Sequence, residues 1–373
     1  MNLRERILAV YRGETPDVVP FMLDLSHWFY QKHKVPWDLS KEYDKPEYDL
    51  IDYHRKHGVG FYVPNNCSFY DVKFSDDVRA SVSKSADGRV ITWQYQTPLG
   101  TISRQRKWEE GSYSWAISDW GVKTRKDLRV LGYALASRTF SPAPQRYQGW
   151  VDYVGDVGVA YLSGPGYSGM GQLLGYWMGI EATIYATRDW PDTMHEVIDQ
   201  INKNNLKCID VAATYPAEVV ILGDNFSSDV QPPAFFEEWS RPYYEEAIKR
   251  LHAAGKCVAV HIDGRLREAL KMFRDIGADC ADAVTPTPMG DLTPQQCRRE
   301  AGPDFILSGG VSPNLWLPEV DVQDFKKAVI RWLELKKQGP RLIANAGDQV
   351  PPGADEEKIR IMRDMVEQYG MYS

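Results

Sequence analysis

The sequence has few cysteines, and their spacing excludes two kinds of site. Its 373 residues contain five cysteines, which is an odd number, and no Cys-x-x-Cys pair occurs. A disulfide framework and a thiolate zinc knuckle both need paired or closely spaced cysteines, so we exclude both. Scattered thiols fit a reducing compartment, and we therefore expect a cytoplasmic protein.

Long apolar runs and an excess of positive charge are also missing. A membrane-spanning helix requires about 18 consecutive apolar residues, and no such run is present. The opening segment MNLRERILAVYRGE is charged and helix-patterned, unlike a signal peptide with its apolar core. Because the formal net charge is −7, we expect neither a nucleic-acid partner nor a membrane partner.

What the sequence does contain is an alternation of short apolar runs with amphipathic helical segments. Continuous apolar runs separated by helices are typical of buried parallel strands in βαβ units. Eight such runs predict an α/β fold, a (β/α)8 TIM barrel; an open doubly wound sheet is the alternative, since periodicity cannot reveal closure. The candidate strands lie at 18–24, 58–64, 159–166, 219–225, 257–263, 280–286, 305–312 and 341–348.

Residues 65–150 break this rhythm. The segment DVRASVSKSADGRVITWQYQTPLGTISRQRKW alternates in the manner of strands and has a turn signal at Ala86-Asp87-Gly88. We interpret 65–150 as a β-rich insertion after the second strand that packs over the barrel mouth. Since no internal repeat or flexible linker is evident, residues 1–373 are predicted to form a single barrel domain with this insertion.

Polar residues gather at the ends of the predicted strands, where a (β/α)8 barrel carries its active site. The strand interiors, by contrast, are predicted to stay apolar. The charged and histidine side chains at the strand ends are expected to surround one cavity. The candidate site residues are Asp24, His27, Tyr167, Asp224, Asn225, His261, Asp263 and Asp348.

His261-x-Asp263 is the strongest candidate for chemistry. Residues two apart on an extended strand point to the same face. That spacing allows the carboxylate to orient the imidazole, or both side chains to bind one metal ion. A hydrogen-bonded histidine at the barrel rim is the structural alternative. For Asp224 and Asp348 the alternative is a helix N-cap or turn aspartate.

Several segments, in order along nearly the whole chain, resemble the uroporphyrinogen decarboxylase superfamily. They begin with RERILAVYRGETPDVVPFMLD, continue with SGPGYSGMGQLLGYW and VVILGDNFSSDV, and end with LSGGVSP and NAGDQVPPGADEEKIRIM. The resemblance implies the (β/α)8 barrel independently of the strand pattern.

The residues that the decarboxylases use are changed in this sequence. Two arginines that those enzymes carry at the first strand end correspond to Leu23 and His27, and an aspartate is added at Asp24. Their C-terminal glycine-histidine pair corresponds to Gly347-Asp348. An arginine fork that binds carboxylates is thereby lost from this position, which argues against tetrapyrrole decarboxylation.

The corrinoid-dependent methyltransferases of the same superfamily are the closer resemblance. TPLGTI (97–102) within a β-rich insertion is similar to that branch, whose thiol-activating members bind zinc through His-x-Cys and a later cysteine. Here those positions read His261-x-Asp263 and Asp348. The resemblance therefore implies zinc held by nitrogen and oxygen, which leaves a stronger Lewis acid suited to an ether. The alternative is no metal, with direct binding of the substrate by these side chains.

Our hypothesis from the sequence is a methyltransferase of the O-demethylation type. It would take a methyl group from a small methoxylated or methylamine-type donor and pass it to a separate corrinoid protein, because no cobalamin-binding segment is recognised in the chain. Asp224 and His261 are the predicted catalytic residues, and Asp24, His27, Tyr167 and Asn225 are predicted to shape the substrate pocket. A decarboxylase of a small organic acid and a non-catalytic small-molecule-binding protein are the alternatives.

Overall fold

The structure is a computed structural model that describes residues 1–35, 39, 44–62 and 69–372. Residues 63 and 64 of the second predicted strand, and 65–68 of the predicted insertion, lie outside this range. The strands are β1 Phe61–Tyr62, β2 Tyr70–Lys73, β3 Arg79–Lys84, β4 Val90–Thr97, β5 Gly100–Glu109, β6 Ser114–Asp119, β7 Thr139–Pro142, β8 Gly158–Val159, β9 Leu162–Ser163, β10 Val219–Phe226, β11 Cys257–Ile262, β12 Cys280–Val284, β13 Ile306–Val311 and β14 Leu342–Ala346.

Helices alternate with the strands of the second half of the chain. Several begin at a side-chain cap, for example Thr124 before α4 and Thr293 before α12, each of which forms a reciprocal capping box. Within the described ranges, no helix is long and apolar enough to cross a membrane. The α-helices are α1 Leu3–Tyr11, α2 Ser26–Lys32, α3 Asp44–His57, α4 Arg125–Ala136, α5 Pro144–Val154, α6 Gly169–Gly171, α7 Ile180–Asp189, α8 Pro191–Ala213, α9 Pro233–Trp239, α10 Arg241–Ala253, α11 Ala269–Asp275, α12 Pro294–Ala301, α13 Val322–Leu333 and α14 Glu356–Tyr369.

A parallel sheet forms the centre of the molecule. Six strands pair in the order β14-β13-β12-β11-β10-β9, and β1 pairs with β8, all in parallel. The first predicted strand is present as two parallel bridges, from Phe21 to Ala344 and from Met22 to Gly60. The third predicted run is divided into β8 and β9. The predicted α/β class with a parallel sheet is thus confirmed.

The prediction that strand interiors are apolar is wrong at Asp282, which is buried together with two other polar side chains. Asp282 in β12, Ser308 in β13 and Asn345 in β14 are at most 2% exposed, although each lies within a buried run. Buried polar groups need hydrogen-bond partners. These side chains contact each other and Tyr62, although Oδ1 of Asn345 has no hydrogen-bond partner among the described residues. They form the polar layer on which the candidate site is built.

The segment between β1 and β8 is rich in antiparallel strands. β3, β4, β5 and β6 form a four-stranded sheet, and β2 pairs with β7. The predicted turn at Ala86-Asp87-Gly88 lies between β3 and β4, as expected from its sequence. The Nε2 atom of His27 lies 3.0 Å from the Tyr113 carbonyl oxygen, so this segment reaches the end of the first predicted strand. Its status as an insertion in a single domain stays a prediction.

Candidate active site

The site is built around a histidine–aspartate pair on two adjacent strands, in which the aspartate is buried and 22% of the histidine side chain is exposed. His261 is near the end of β11, and its Nδ1 lies 3.0 Å from Oδ2 of Asp282 on β12. The Cα atoms of the two residues are partners in the parallel register of these strands. Only 3% of the Asp282 side chain is exposed. A carboxylate so deeply buried is expected to be paired, and the imidazole is its partner.

Further polar contacts continue from Asp282 across the neighbouring strands. The Ser308 hydroxyl donates to Oδ1 of Asp282 at 3.4 Å, and the Asn345 amide nitrogen lies 3.4 Å from the Ser308 hydroxyl. Asn345 also donates to the Tyr62 hydroxyl at 3.1 Å. The carboxylate of Asp282 is therefore held from two sides, which fixes the orientation of the imidazole that it contacts.

Asp348 lies on the other side of the His261 ring. Its Oδ1 is 3.9 Å from Nε2 of His261, and 35% of its side chain is exposed. Asp348 follows β14 and lines a cavity of about 500 Å³ together with Asp263, Thr285 and Arg265; this is called the Asp348 cavity below. The structure thus brings His261 and Asp348 together and places Asp263 in the same cavity as Asp348.

The charges around His261 favour its protonated form. Burial alone would lower the pKa of His261, but the hydrogen bond and charge of Asp282, with the charges of Asp348 and Asp263, raise it to about 9. Burial raises the pKa of Asp348 to about 6, aided by the charges of Asp263 and Asp24 and opposed by that of His261. At neutral pH the ring is therefore an imidazolium between carboxylates.

Asp24 occupies the end of the first predicted strand near this group. Its Oδ1 accepts hydrogen bonds from the Ser26 backbone N–H at 2.9 Å and from the Ser26 hydroxyl at 2.5 Å. The Gln349 amide donates to its Oδ2 at 3.1 Å. Asp24 is thus tied to the residue that follows Asp348, while His27 turns toward the antiparallel segment.

Asp224, Asn225 and Tyr167 line a second cavity, of about 380 Å³, which also contains Arg106 and Ser227. We call it the Arg106 cavity. The sequence predicted a single cavity for the candidate site residues. The structure divides them between two cavities: Asp263 and Asp348 line the Asp348 cavity, and Asp224 lines the Arg106 cavity.

Both oxygens of the Asp224 carboxylate accept hydrogen bonds from one loop residue, Ser168. The carboxylate accepts the Ser168 backbone N–H at 2.6 Å on Oδ1 and the Ser168 hydroxyl on Oδ2. Burial raises the pKa of Asp224, while these hydrogen bonds oppose the rise. A Cβ atom added to Gly171 would lie 2.5 Å from the Asp224 carboxyl carbon. Asp224 therefore anchors the loop before α6, and its predicted catalytic role stays a prediction.

Backbone irregularities lie next to these side chains. The pairing of β10 with β11 shifts between Gly223 and Phe226, and Asn225 has φ +47°. The pairing of β12 with β13 shifts after Ala281, and Ala283 has φ +63°. Such bulges redirect side chains at strand ends and are common next to active sites.

The predicted zinc ligands do not assemble into a metal-binding group. In the part of the chain that the structure describes, no three His, Cys, Asp or Glu side chains are placed to hold a metal ion. His261 and Asp348 approach each other, but the other His261 nitrogen is engaged by Asp282. Zinc stays a prediction from the family resemblance.

Sequence reasoning missed two kinds of residue. Asp282 is a charged residue within the apolar run CADAV, and that anomaly is a signal for a buried partner. Arg104 and Arg106 lie on β5, and nothing in their local sequence distinguishes them from surface arginines.

The comparisons with known proteins agree with this architecture. The model of the uroporphyrinogen decarboxylase (URO-D) family matches residues 169–369, and the chain belongs to that family. A methyltransferase from Methanosarcina mazei shares the fold, with a TM-score of 0.64, 15% sequence identity and 99% of each chain covered. At that identity the likeness shows the fold alone. No curated protein matches the sequence.

Two further solved structures are weaker matches. A type I 3-dehydroquinate dehydratase from Clostridium difficile is 12% identical, with a TM-score of 0.30 over 60% of this chain and 74% of its own. A xylose isomerase domain protein from Planctomyces limnophilus is 12% identical, with a TM-score of 0.33 over 66% and 82%. Scores this low carry no argument about the present chain.

Proposed function

We propose that the protein is a methyltransferase that demethylates a small methoxylated or methylamine-type compound and passes the methyl group to a separate corrinoid protein. The observation that carries the proposal is the His261 ring, held by Asp282 on Nδ1 and turned toward Asp348 with Nε2. Family membership and the fold shared with a methyltransferase support it.

The chemistry needs a proton donor at the leaving atom. When the bond from the methyl carbon to oxygen breaks, its electron pair stays on the oxygen, and protonation there lowers the barrier. His261 is protonated at neutral pH because its pKa is raised to about 9. Its Nε2 proton would pass to the leaving oxygen, and the neutral ring would then take a proton from water. Asp282 keeps the ring oriented and stabilises the imidazolium.

The corrinoid of the partner protein would supply the nucleophile that accepts the methyl group. The residues of this chain would bind the donor and provide the proton. Asp24, His27, Tyr167 and Asn225 remain the proposed pocket residues. Tyr167 and Asn225 line the Arg106 cavity, and Asp24 accepts a hydrogen bond from Gln349, the residue after Asp348. We also infer that the parallel strands close into the (β/α)8 barrel, since the bridges from Phe21 to Ala344 and from Met22 to Gly60 support closure.

A methyl-transfer assay tests this proposal. The purified protein is given chemically reduced cobalamin as the methyl acceptor, with methoxybenzenes and methylamines as donors, and demethylated products are measured by mass spectrometry. We expect turnover that falls by about 10²-fold or more in His261→Ala. His252→Ala is the matched control, because His252 pairs with Asp279 away from either cavity. An unchanged rate in His261→Ala contradicts the proposal.

A second candidate, decarboxylation of a small organic acid, is favoured by the match to the URO-D family model over residues 169–369. An imidazolium at His261 would then protonate the carbon from which carbon dioxide leaves. Release of carbon dioxide without any corrinoid would establish this candidate. Biological activity that survives His261→Ala would instead support a binding protein without catalysis.

A further inference from the structure

Two arginines of the antiparallel segment share a cluster of aromatic rings. The Arg104 guanidinium carbon lies 4.3 Å from the Trp93 ring centroid, 4.8 Å from that of Tyr176 and 5.2 Å from that of Trp177. The Arg106 guanidinium carbon lies 4.9 Å from the Tyr176 centroid. Arginines at positions two apart on β5 point to the same face, so two positive charges converge on Tyr176.

The described residues do not neutralise these charges with an anionic side chain. Only 6% of Arg104 is exposed, yet among the described residues its buried Nε and Nη1 atoms have no hydrogen-bond partner, and neither has the buried Nε of Arg106. Among the described residues, no carboxylate forms an ion pair with either arginine. Cation–π contacts offset part of the cost of burying a guanidinium. The cation–π contacts do not provide hydrogen-bond acceptors for the N–H groups of the guanidinium. A buried charge without a partner raises the free energy of the folded state.

Arg106 lines the Arg106 cavity beside Tyr167 and Tyr176. Asp224 lines it too, but its oxygens accept the two Ser168 hydrogen bonds. The volume, about 380 Å³, lies within the usual range for small-molecule pockets. A cationic donor group and two aromatic rings therefore face one ligand-sized space.

We propose that this cavity binds the anionic group of the substrate, with Arg106 contacting a carboxylate and Arg104 adding positive charge from behind. An arginine fork matches a carboxylate in geometry and charge. This inference rests on the proposed function and narrows its donor to a small methoxylated carboxylic acid. A methylammonium donor is disfavoured, because the two arginines would repel it.

The position of this cavity suits such a substrate. Ser227 lines the Arg106 cavity, and its hydroxyl donates to Asp229, which lines the Asp348 cavity. Ser227 also accepts the backbone N–H of Arg265 at 2.9 Å. The Arg106 cavity and the Asp348 cavity are therefore adjacent, and Ser227 lies between them. An acid anchored at Arg106 would direct its other end toward the Asp348 cavity and His261.

Calorimetric titration with three probes of similar shape tests the inference. Benzoate, benzamide and benzylamine carry negative, zero and positive charge on the same ring. We expect benzoate to bind at least about tenfold more tightly than benzamide, and benzylamine not to bind. Arg106→Gln should abolish this preference, and Arg106→Lys should retain part of it because the charge remains without the fork.

Lys107→Gln is the matched control. It removes one positive charge from the adjacent residue of β5, whose side chain is 58% exposed, and the preference for benzoate should persist. The inference is overturned if benzamide or benzylamine binds as tightly as benzoate, if benzoate does not bind at about 10 mM, or if Arg106→Gln and Arg106→Lys leave the preference unchanged.

These titrations contain no corrinoid, so the two proposals can fail separately. If benzoate binds through Arg106 but no methyl transfer is detected, the proposed function is contradicted and the inference about the Arg106 cavity stands. If methylamines are demethylated and benzoate binds no more tightly than benzamide or benzylamine, the inference about the Arg106 cavity is contradicted and the proposed function stands.

Discussion

His261 and Asp282 are partners in the parallel register of β11 and β12, and their side chains meet at 3.0 Å. The contact joins residues that are 21 positions apart in the chain. It sets the protonation of the ring, since the carboxylate both accepts its hydrogen bond and supplies the nearest negative charge. Most of the measurable consequences of the site follow from this pair.

Asp282→Asn should lower the pKa of His261 from its value of about 9. The amide cannot supply the negative charge, while burial, which lowers this pKa, persists. We expect a fall of about one unit or more, measured by NMR titration of histidine side chains. Asp279→Asn is the control, because it alters the pKa of His252 instead. A His261 pKa that is unchanged in Asp282→Asn would show that the contact does not govern it.

The stability of the wild-type protein should decline with rising pH. The pKa of His261 is raised in the folded state from an ordinary 6.5 to about 9. Its contribution is therefore fully present below about 6.5 and lost as the pH rises through about 9. The upper bound is about 3 kcal/mol, because one pKa unit corresponds to about 1.4 kcal/mol. Urea unfolding between about pH 6 and 10 should show this slope, and His261→Ala should flatten it.

Asp348→Asn should stabilise the protein above pH 6. Burial and the charges of Asp263 and Asp24 raise the pKa of Asp348 to about 6, so its ionised form is destabilising in the folded state. The gain in the free energy of unfolding should be absent below about pH 4, grow as the pH rises, and be complete above about pH 6. We expect about 1 kcal/mol, discounted because a third of the side chain is exposed. Asp364→Asn is the matched control, because it makes the same substitution at a side chain that is 66% exposed.

Gly171→Ala should destabilise the loop that Asp224 anchors. The added Cβ atom would lie 2.5 Å from the Asp224 carboxyl carbon, so either the loop or the carboxylate must move. We expect a loss of about 1–3 kcal/mol in the free energy of unfolding, measured by urea denaturation. Gly149→Ala is the control, because Gly149 lies within α5 and no atom of the described residues lies within 4 Å of an added Cβ. There the change should be neutral or stabilising.

The zinc prediction is open to elemental analysis. If zinc binds through His261, Asp263 and Asp348, then His261→Ala should abolish its binding and Asp263→Ala should weaken it. A metal–sulfur distance in X-ray absorption, or full occupancy in His261→Ala, would contradict this ligand set. Wild-type protein that takes up no metal from zinc-containing buffer would leave His261 as the proton donor proposed above.

The sequence by itself determined the α/β class and most of the strand positions. Buried parallel strands must be continuous apolar runs, and such runs can be read directly. It also placed His261, Asp263 and Asp348 at strand ends, because a strand ends where the apolar run ends. The shortness of β1 and the division into β8 and β9 could not be read, since regular pairing depends on neighbouring strands.

Only the tertiary structure decided which side chains meet. Asp282 becomes the partner of His261 through the register of two adjacent strands, and a register is a property of pairing that neither strand carries alone. Arg106 reaches the cavity of Asp224 because the antiparallel sheet packs beside the strand ends. The pKa of His261 follows in turn, since burial and charges from distant segments set it.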